Sequence, residues 1–216
     1  AKPDEGAPRG LPVMLMVERT TPDAKTQLRQ AVHKFGLPRL PLYVSLPPEG
    51  ELEGWRDAAR EIGFRHDHTQ VLMTCSLTQP RPVRQPARYD VVEAEADQDW
   101  DAALHVIGEV FEDPDGLTAF YNPRGVVRLF LARVQGEPVA AAALWPFDGV
   151  AGVYSVATRE RFRGLGLSYA VVEHILRQAA AEGFPLAALR TTGDLVTLYM
   201  RHGFTVSGQI HRYRLG

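Results

Sequence analysis

The 216 residues carry 24 Lys and Arg against 26 Asp and Glu, for a net charge of −2, with 45% hydrophobic and 23% charged side chains. That balance is ordinary for a globular protein with room for one large domain or two small ones; it offers no broad basic surface for nucleic acid or an anionic membrane. The single cysteine, Cys75, cannot form an internal disulfide and suits a reducing cytoplasm, and no apolar run is long enough to span a bilayer.

Residues 1–10 are polar, with Pro and Gly, and read as a loose tail rather than a signal peptide. A strand is predicted over 11–17. A helix follows over 22–35, with Thr20 or Thr21 as N-cap, Pro22 at the first helical position and Gly36 as stop. A second strand covers 41–46, a second helix 51–62 ending at Gly63, and a third strand 71–77, in which Cys75 reads as a packed thiol. His66 and His68, just before it, have no cysteine close enough to complete a metal set and read as solvated. The run Gln79-Pro80-Arg81-Pro82-Val83-Arg84-Gln85-Pro86 is extended and proline-punctuated, so 79–88 is the predicted linker between residues 1–78 and residues 89–216.

The second part opens with a strand over 89–93. A helix runs from about 97 to 111, with Asp97, Asp99 and Asp101 at its start as caps and dipole complement. Asp113-Pro114-Asp115-Gly116 breaks it, and a short helix is expected over 117–121. Strands over 126–134 and 138–145 are joined by a hairpin at Gln135-Gly136-Glu137. Phe147-Asp148-Gly149 turns into an apolar, β-branched strand over 150–158. After the glycine-rich stretch described next, a helix over 167–182 stacks Val171, Val172, Ile175, Leu176 and Ala179 on one face and stops at Gly183. A strand over 186–191, a helix over 194–202 ending at Gly203, and one or two strands over 204–215 complete the chain.

Between the strand at 150–158 and the helix at 167–182 lies Arg161-Phe162-Arg163-Gly164-Leu165-Gly166. A strand, a glycine-rich basic turn and a helix N-terminus together make an anion site. The first helical N–H groups lack internal partners, glycines let a phosphate approach the backbone, and arginines add charge. The stretch is not a P-loop, since it has no Gly-Lys-Ser/Thr. Nor is it a dinucleotide fingerprint, since Tyr169 stands where a third glycine would be. What remains is Arg-x-x-Gly-x-Gly, which resembles the coenzyme A pyrophosphate loop of the GNAT superfamily of N-acetyltransferases. Leu198-Tyr199-Met200-Arg201-His202-Gly203-Phe204 resembles that family's Leu-Tyr-x-x-x-Gly-Phe segment, and the element order from residue 89 onward is the family's order.

The resemblance implies an α/β (α+β) GNAT fold over residues 89–216, in which a central mixed sheet with a splayed strand pair is flanked by helices. It also implies acetyl-CoA as cosubstrate and transfer of an acetyl group to a primary amine. In that family the pantetheine arm hydrogen-bonds along the splayed strand. Here Val156, Ala157 and Thr158 are expected to hold the arm, with a backbone N–H near Val156 facing the thioester carbonyl. Phe162, Arg163, Gly164, Leu165, Gly166, Leu167 and Ser168 are expected to wrap the pyrophosphate. Arg159, Arg161 and Arg163 are expected to neutralise phosphates, although each is equally compatible with a solvated surface side chain. Tyr199 is the expected general acid for the departing thiolate, as a phenol with a pKa of about 10.

Two departures stand out. Where many members carry Asn and then a small residue, this chain has Thr192 and Leu195; Thr192 can still hydrogen-bond to the coenzyme, and Leu195 is bulkier. The strand at 150–158 carries no carboxylate, which leaves a water chain, Glu109, Glu112 or Asp113 as general base. The competing reading is therefore a catalytically inactive acyl-CoA-binding sensor or scaffold. Phe120, Tyr121 and Trp145 are candidates both for the acceptor cavity and for core packing. His202 reads as a helix C-terminal cation.

The expected partner is a small-molecule or protein amine, with no metal, nucleic acid or membrane; a homodimer is left open. A weak internal repeat pairs 11–77 with 150–215 and sets Ile62-Gly63-Phe64 against His202-Gly203-Phe204. Residues 1–78 therefore read as a degenerate half of the same fold. That half lacks a glycine loop and has Ala59 at the position of Tyr199, so no coenzyme site is expected there.

Overall fold

Alternating and continuous apolar runs set the strands, and 3.6-residue periodicity sets the helices. The computed structural model describes residues 13–16, 23–35, 42–46, 53–78, 89–112 and 125–216. The elements are β1 (Val13–Met16), α1 (Ala24–Phe35), β2 (Leu42–Leu46), α2 (Glu53–Ile62), β3 (Phe64–Ser76), β4 (Asp90–Glu93), α3 (Asp97–Phe111), β5 (Arg128–Val134), β6 (Glu137–Phe147), β7 (Val150–Thr158), α4 (Leu167–Ala181), β8 (Leu186–Thr191), α5 (Val196–Met200) and β9 (Thr205–Leu215). Short 3₁₀ turns at Glu160–Phe162 and Gly193–Leu195 precede α4 and α5. The predicted linker at 79–88, the break at 113–116 and the short helix at 117–121 lie outside the described residues, as do Thr20, Thr21, Pro22 and Gly36.

The described chain forms two compact units. One comprises residues 1–72, 191–196 and 206–216, and the other comprises residues 73–190 and 197–205. In the first, strand order is β1-β2-β9-β3. β1 and β2 are parallel, and β9 runs antiparallel to β2 with Val44 opposite Tyr213. Ala24 and Leu28 of α1, Trp55, Ala58 and Ala59 of α2, Val44, Phe64 and Tyr213 form its core. Gly63 ends α2 at φ 103°, as the glycine stop predicts. One expectation changes here: β3 is 13 residues long and begins at Phe64 instead of at 71, so His66 and His68 lie on a strand. The tail, expected as one or two strands, is the single strand β9.

In the second unit β4, β5, β6 and β7 pair antiparallel in that order, and β8 joins β7 in parallel. Residues 129–132 of β5 and 139–144 of β6 are fully buried without alternation. A sheet covered on both faces requires such continuous runs. On one face α3 contributes Trp100, Ala103, Val106 and Ile107 against Leu129, Leu131, Ala141, Ala143 and Ala157. On the other, α4 packs on β5, β6 and β7 and buries Leu167, Val171, Val172, Ile175, Leu176 and Ala179, the stripe read from sequence. The hairpins turn on Gln135-Gly136 and Asp148-Gly149, all four at positive φ, as two-residue type I′ turns demand. The N-cap of α3 is Ala96, with no side-chain capping bond. The aspartates there act otherwise: Asp97 and Asp99 complement the dipole, and Asp99 also accepts a hydrogen bond from Arg133 at 2.5 Å.

Candidate active site

The site grows from an irregularity in β7. Ala141 pairs with Ala157 and Ala143 with Tyr154, so one residue of β6, Ala142, faces two of β7, Ser155 and Val156. This is a β-bulge, and Ser155 sits in it at φ 48°, in the left-handed region that non-glycine residues rarely occupy. Pairing with β8 covers only Val150, Ala151 and Gly152, opposite Leu186, Ala187 and Ala188. Beyond Gly152 the edge of β7 is free of β8, at the point where the bulge bends and twists it. The Tyr154 ring lies back over Gly152. A Cβ there would stand 2.6 Å from Tyr154 Cε2 and 2.9 Å from the Trp145 carbonyl, so only glycine fits.

At its far end β7 delivers Thr158 and Arg159 to the glycine loop. Gly164 and Gly166 both take left-handed φ, 78° and 82°, and Gly166 is the N-cap of α4 with no side-chain cap. Among the described residues, the N–H groups of Gly164, Leu165 and Gly166 have no backbone acceptor. Arg163 Nε reaches the Thr158 carbonyl at 3.3 Å, tying the loop to the strand. Arg161 lies over the Phe162 ring, 4.9 Å from its centroid.

The arginines are held by carboxylates. Glu137 Oε1 accepts from Arg159 Nη1 at 3.1 Å and also from Arg161 Nη2. Arg159 Nε lies 3.0 Å from Glu109 Oε2, within ion-pair distance but outside hydrogen-bond geometry, so it remains a buried donor without a hydrogen-bond acceptor. The hydroxyl of Thr158 is likewise buried and unpartnered. Arg159 lines a cavity of about 500 Å³ together with, among the described residues, Glu109, Glu160 and Arg161. A buried donor without a hydrogen-bond partner at the wall of a cavity of that size suits a polar ligand.

Tyr199 lies on α5, 7% exposed, with its ring edge-on to Phe204 at 6.1 Å. Burial alone pushes its phenol from the ordinary 10.0 up to about 12, so it stays protonated at any physiological pH. Thr192 N-caps the 3₁₀ turn before α5 through its carbonyl, which accepts the Leu195 N–H at 3.1 Å, and both residues are exposed. The α5 helix is five residues long, shorter than the 194–202 span predicted.

Of the base candidates, Glu109 is engaged by Arg159, Glu112 ends α3 at φ 54°, and Asp113 lies outside the described residues with Phe120 and Tyr121. His66 shares the Thr69 hydroxyl with His211, at 3.1 and 3.0 Å, and among the described residues no set of three His, Cys, Asp or Glu is arranged for a metal. No described helix is long and apolar enough to cross a membrane. The sequence reading missed Ser155, Glu137 and Tyr89, whose hydroxyl bonds the Leu165 carbonyl at 2.6 Å.

Comparison with known proteins agrees with this architecture. Among solved structures, a GCN5-related N-acetyltransferase from Kribbella flavida superposes with a TM-score of 0.72 at 22% identity, over 89% of this chain and 75% of that one. One from Sphaerobacter thermophilus gives 0.68 at 16% identity, over 88% of this chain and 64% of that one, just under two thirds of its length. A functionally unknown conserved protein from Staphylococcus epidermidis gives 0.65 at 17% identity, over 91% and 82%. At these identities the likeness is one of fold. No curated protein matches the sequence. The model of the Acetyltransferase (GNAT) family matches residues 87–204, more than half of the sequence and spanning both the bulged strand and Tyr199, and the chain therefore belongs to the GNAT acetyltransferase family.

Proposed function

We propose that the protein is an acetyl-CoA-dependent N-acyltransferase that passes an acetyl group to a primary amine by direct attack on the thioester, in a reducing compartment such as the cytoplasm. The observation that carries this reading is the bulge at Ser155 and Val156, combined with the loss of β8 pairing beyond Gly152. A strand edge released in this way presents N–H and C=O groups that need partners, and the pantetheine amides are such partners. Val156, Ala157 and Thr158 would hold the arm. The loop from Phe162 to Ser168, with both glycines at positive φ, would receive the pyrophosphate, assisted by Arg161 and Arg163. Thr192 would supply a further polar contact to the coenzyme.

The acceptor nitrogen would attack the thioester carbonyl carbon, forming the N–C bond and moving the carbonyl π electrons onto oxygen. A backbone N–H of the bulge would stabilise that tetrahedral oxyanion, whose collapse breaks the C–S bond. The electron pair leaves on sulfur, and Tyr199, held protonated by burial, would supply the proton. Because β7 carries no carboxylate, the proton lost by the attacking nitrogen would pass to a water chain or to Glu109, Glu112 or Asp113. The Kribbella and Sphaerobacter neighbours are both described as GCN5-related N-acetyltransferases, which supports a nitrogen acceptor here.

A thiol-release assay with acetyl-CoA across amino acids, polyamines, aminoglycosides and peptide N-termini tests the proposal. Release stimulated by at least one amine is expected. Coenzyme binding with no stimulated release would instead identify a sensor or scaffold.

A further inference from the structure

Tyr89 stands one residue before β4, and its hydroxyl donates a hydrogen bond to the Leu165 carbonyl at 2.6 Å, across 76 positions of sequence. Leu165 is the residue between the two left-handed glycines. A glycine on each side removes the steric barrier that would hold the intervening peptides in one orientation. The loop's own chain therefore does little to fix the Leu165–Gly166 peptide. An anion site requires that its N–H groups converge before the anion arrives, because aligning them on binding costs entropy. A peptide is planar and trans, so its C=O and N–H point in opposite directions. Anchoring the Leu165 carbonyl on Tyr89 fixes the Gly166 N–H on the opposite side.

We propose that Tyr89 is a positioning residue for the coenzyme phosphates: its hydroxyl presets the Leu165–Gly166 peptide so that the loop N–H groups are already aimed at the pyrophosphate. The proposal rests on the acyl-CoA reading above. Tyr89 acts through the loop, not by touching the ligand. Its loss should therefore weaken binding without disturbing the fold, because Tyr89→Phe keeps the ring.

The test compares full-length parent and Tyr89→Phe by calorimetric titration with coenzyme A. It also follows the Gly166 amide resonance of the unliganded protein and the unliganded melting temperature. The expected results are a dissociation constant raised about 3- to 10-fold, the scale of one hydrogen bond, a shifted or broadened Gly166 amide, and a melt within about 2 °C of the parent. Unchanged affinity in the variant, with the parent binding, overturns the proposal. Weaker binding accompanied by a melt several degrees lower also overturns it, since the bond would then be a folding contact. If the parent itself fails to bind coenzyme A, the acyl-CoA reading falls, and the role of Tyr89 falls with it.

Discussion

His202 Nδ1 lies 3.2 Å from the Glu173 carboxylate, with the Tyr169 ring stacked on the imidazole at 4.2 Å. The histidine side chain is 1% exposed, so the residue read from its place before Gly203 as a helix C-terminal cation is packed inside, against Glu173. Its backbone N–H donates to the Tyr199 carbonyl at 2.9 Å. The pair thus ties α4 to the turn that follows α5, the helix that carries the proposed acid. Glu173→Leu leaves the buried His202 side chain without this half-buried partner and is expected to cost about 1–3 kcal/mol. Glu173→Gln, which keeps an acceptor oxygen, should cost less. Urea denaturation measures both, and equal stability of parent and Leu variant would remove the pair from the account.

Tyr199 sets a prediction at alkaline pH. Its folded pKa, about 12, is raised above the ordinary 10.0 by burial. Below pH 10 both folded and unfolded chains keep the proton, and the residue gives no pH dependence. Above pH 10 the unfolded state loses its proton first, so stability falls as pH rises from 10 through 12. Ultraviolet difference titration of parent against Tyr199→Phe should show this phenolate forming only above about pH 11. A difference signal centred at 10 or below would mean that the ring is solvated. In turnover, Tyr199→Phe should lower kcat by about 10²-fold, the low end for a general acid because its pKa lies far above working pH, and leave coenzyme affinity nearly unchanged.

Glu137 offers a gain of affinity. Its carboxylate is shared by Arg159 and Arg161, so an arriving phosphate must compete with it. Exposed ion pairs are worth about 0–1 kcal/mol, which corresponds to at most about fivefold. Glu137→Gln is expected to tighten coenzyme A by about 2- to 5-fold at low salt, with the gain shrinking as salt is added. Calorimetry at two ionic strengths checks this. Weaker binding in the variant would mean that Glu137 holds the arginines in their productive pose.

The glycine loop and the strand and helix on either side of it were legible because each uses a local rule. Val150–Thr158 and Leu186–Thr191 have the bounds read from sequence, and α4 differs by one residue. Ser155 was illegible because a bulge is a property of register: nothing in Val-Tyr-Ser-Val marks the serine for positive φ. Glu137 was hidden for a similar reason. Only the pairing of Ala140 with Thr158 brings the start of β6 to the arginines beyond β7. A hairpin register drawn from Gln135-Gly136 and Asp148-Gly149 carries part of that signal. The burial of His202 was not legible, because sequence position reports helix ends, whereas burial depends on Tyr169 and Glu173 of another helix.

Glu93 governs the acid side. The hydrogen bonds from Arg128, at 2.6 and 2.7 Å, are the largest cause holding its carboxyl below the ordinary 4.5, and Gln178 adds another at 2.8 Å. A depressed folded pKa contributes stability that is present above the unfolded value and is lost as pH falls through the folded one. Melting temperature should therefore drop below pH 4.5, and Glu93→Gln should flatten that drop while lowering the melt at pH 7. An identical acid limb in parent and variant would contradict this assignment.

The central claim, that the loop between β7 and α4 binds acyl-CoA phosphates, is tested most directly by thermal melting of the parent and Gly164→Asp with and without acetyl-CoA. An aspartate at 164 places a negative charge where the pyrophosphate is proposed to sit, and Gly164 has open space around it, so the damage is confined to the left-handed φ of 78° and the charge. At a hundred times its dissociation constant the ligand adds about 2.7 kcal/mol. The parent melt should rise by roughly 5–10 °C and the variant melt should not move. An unshifted parent, or a variant that shifts as far as the parent, would contradict the account.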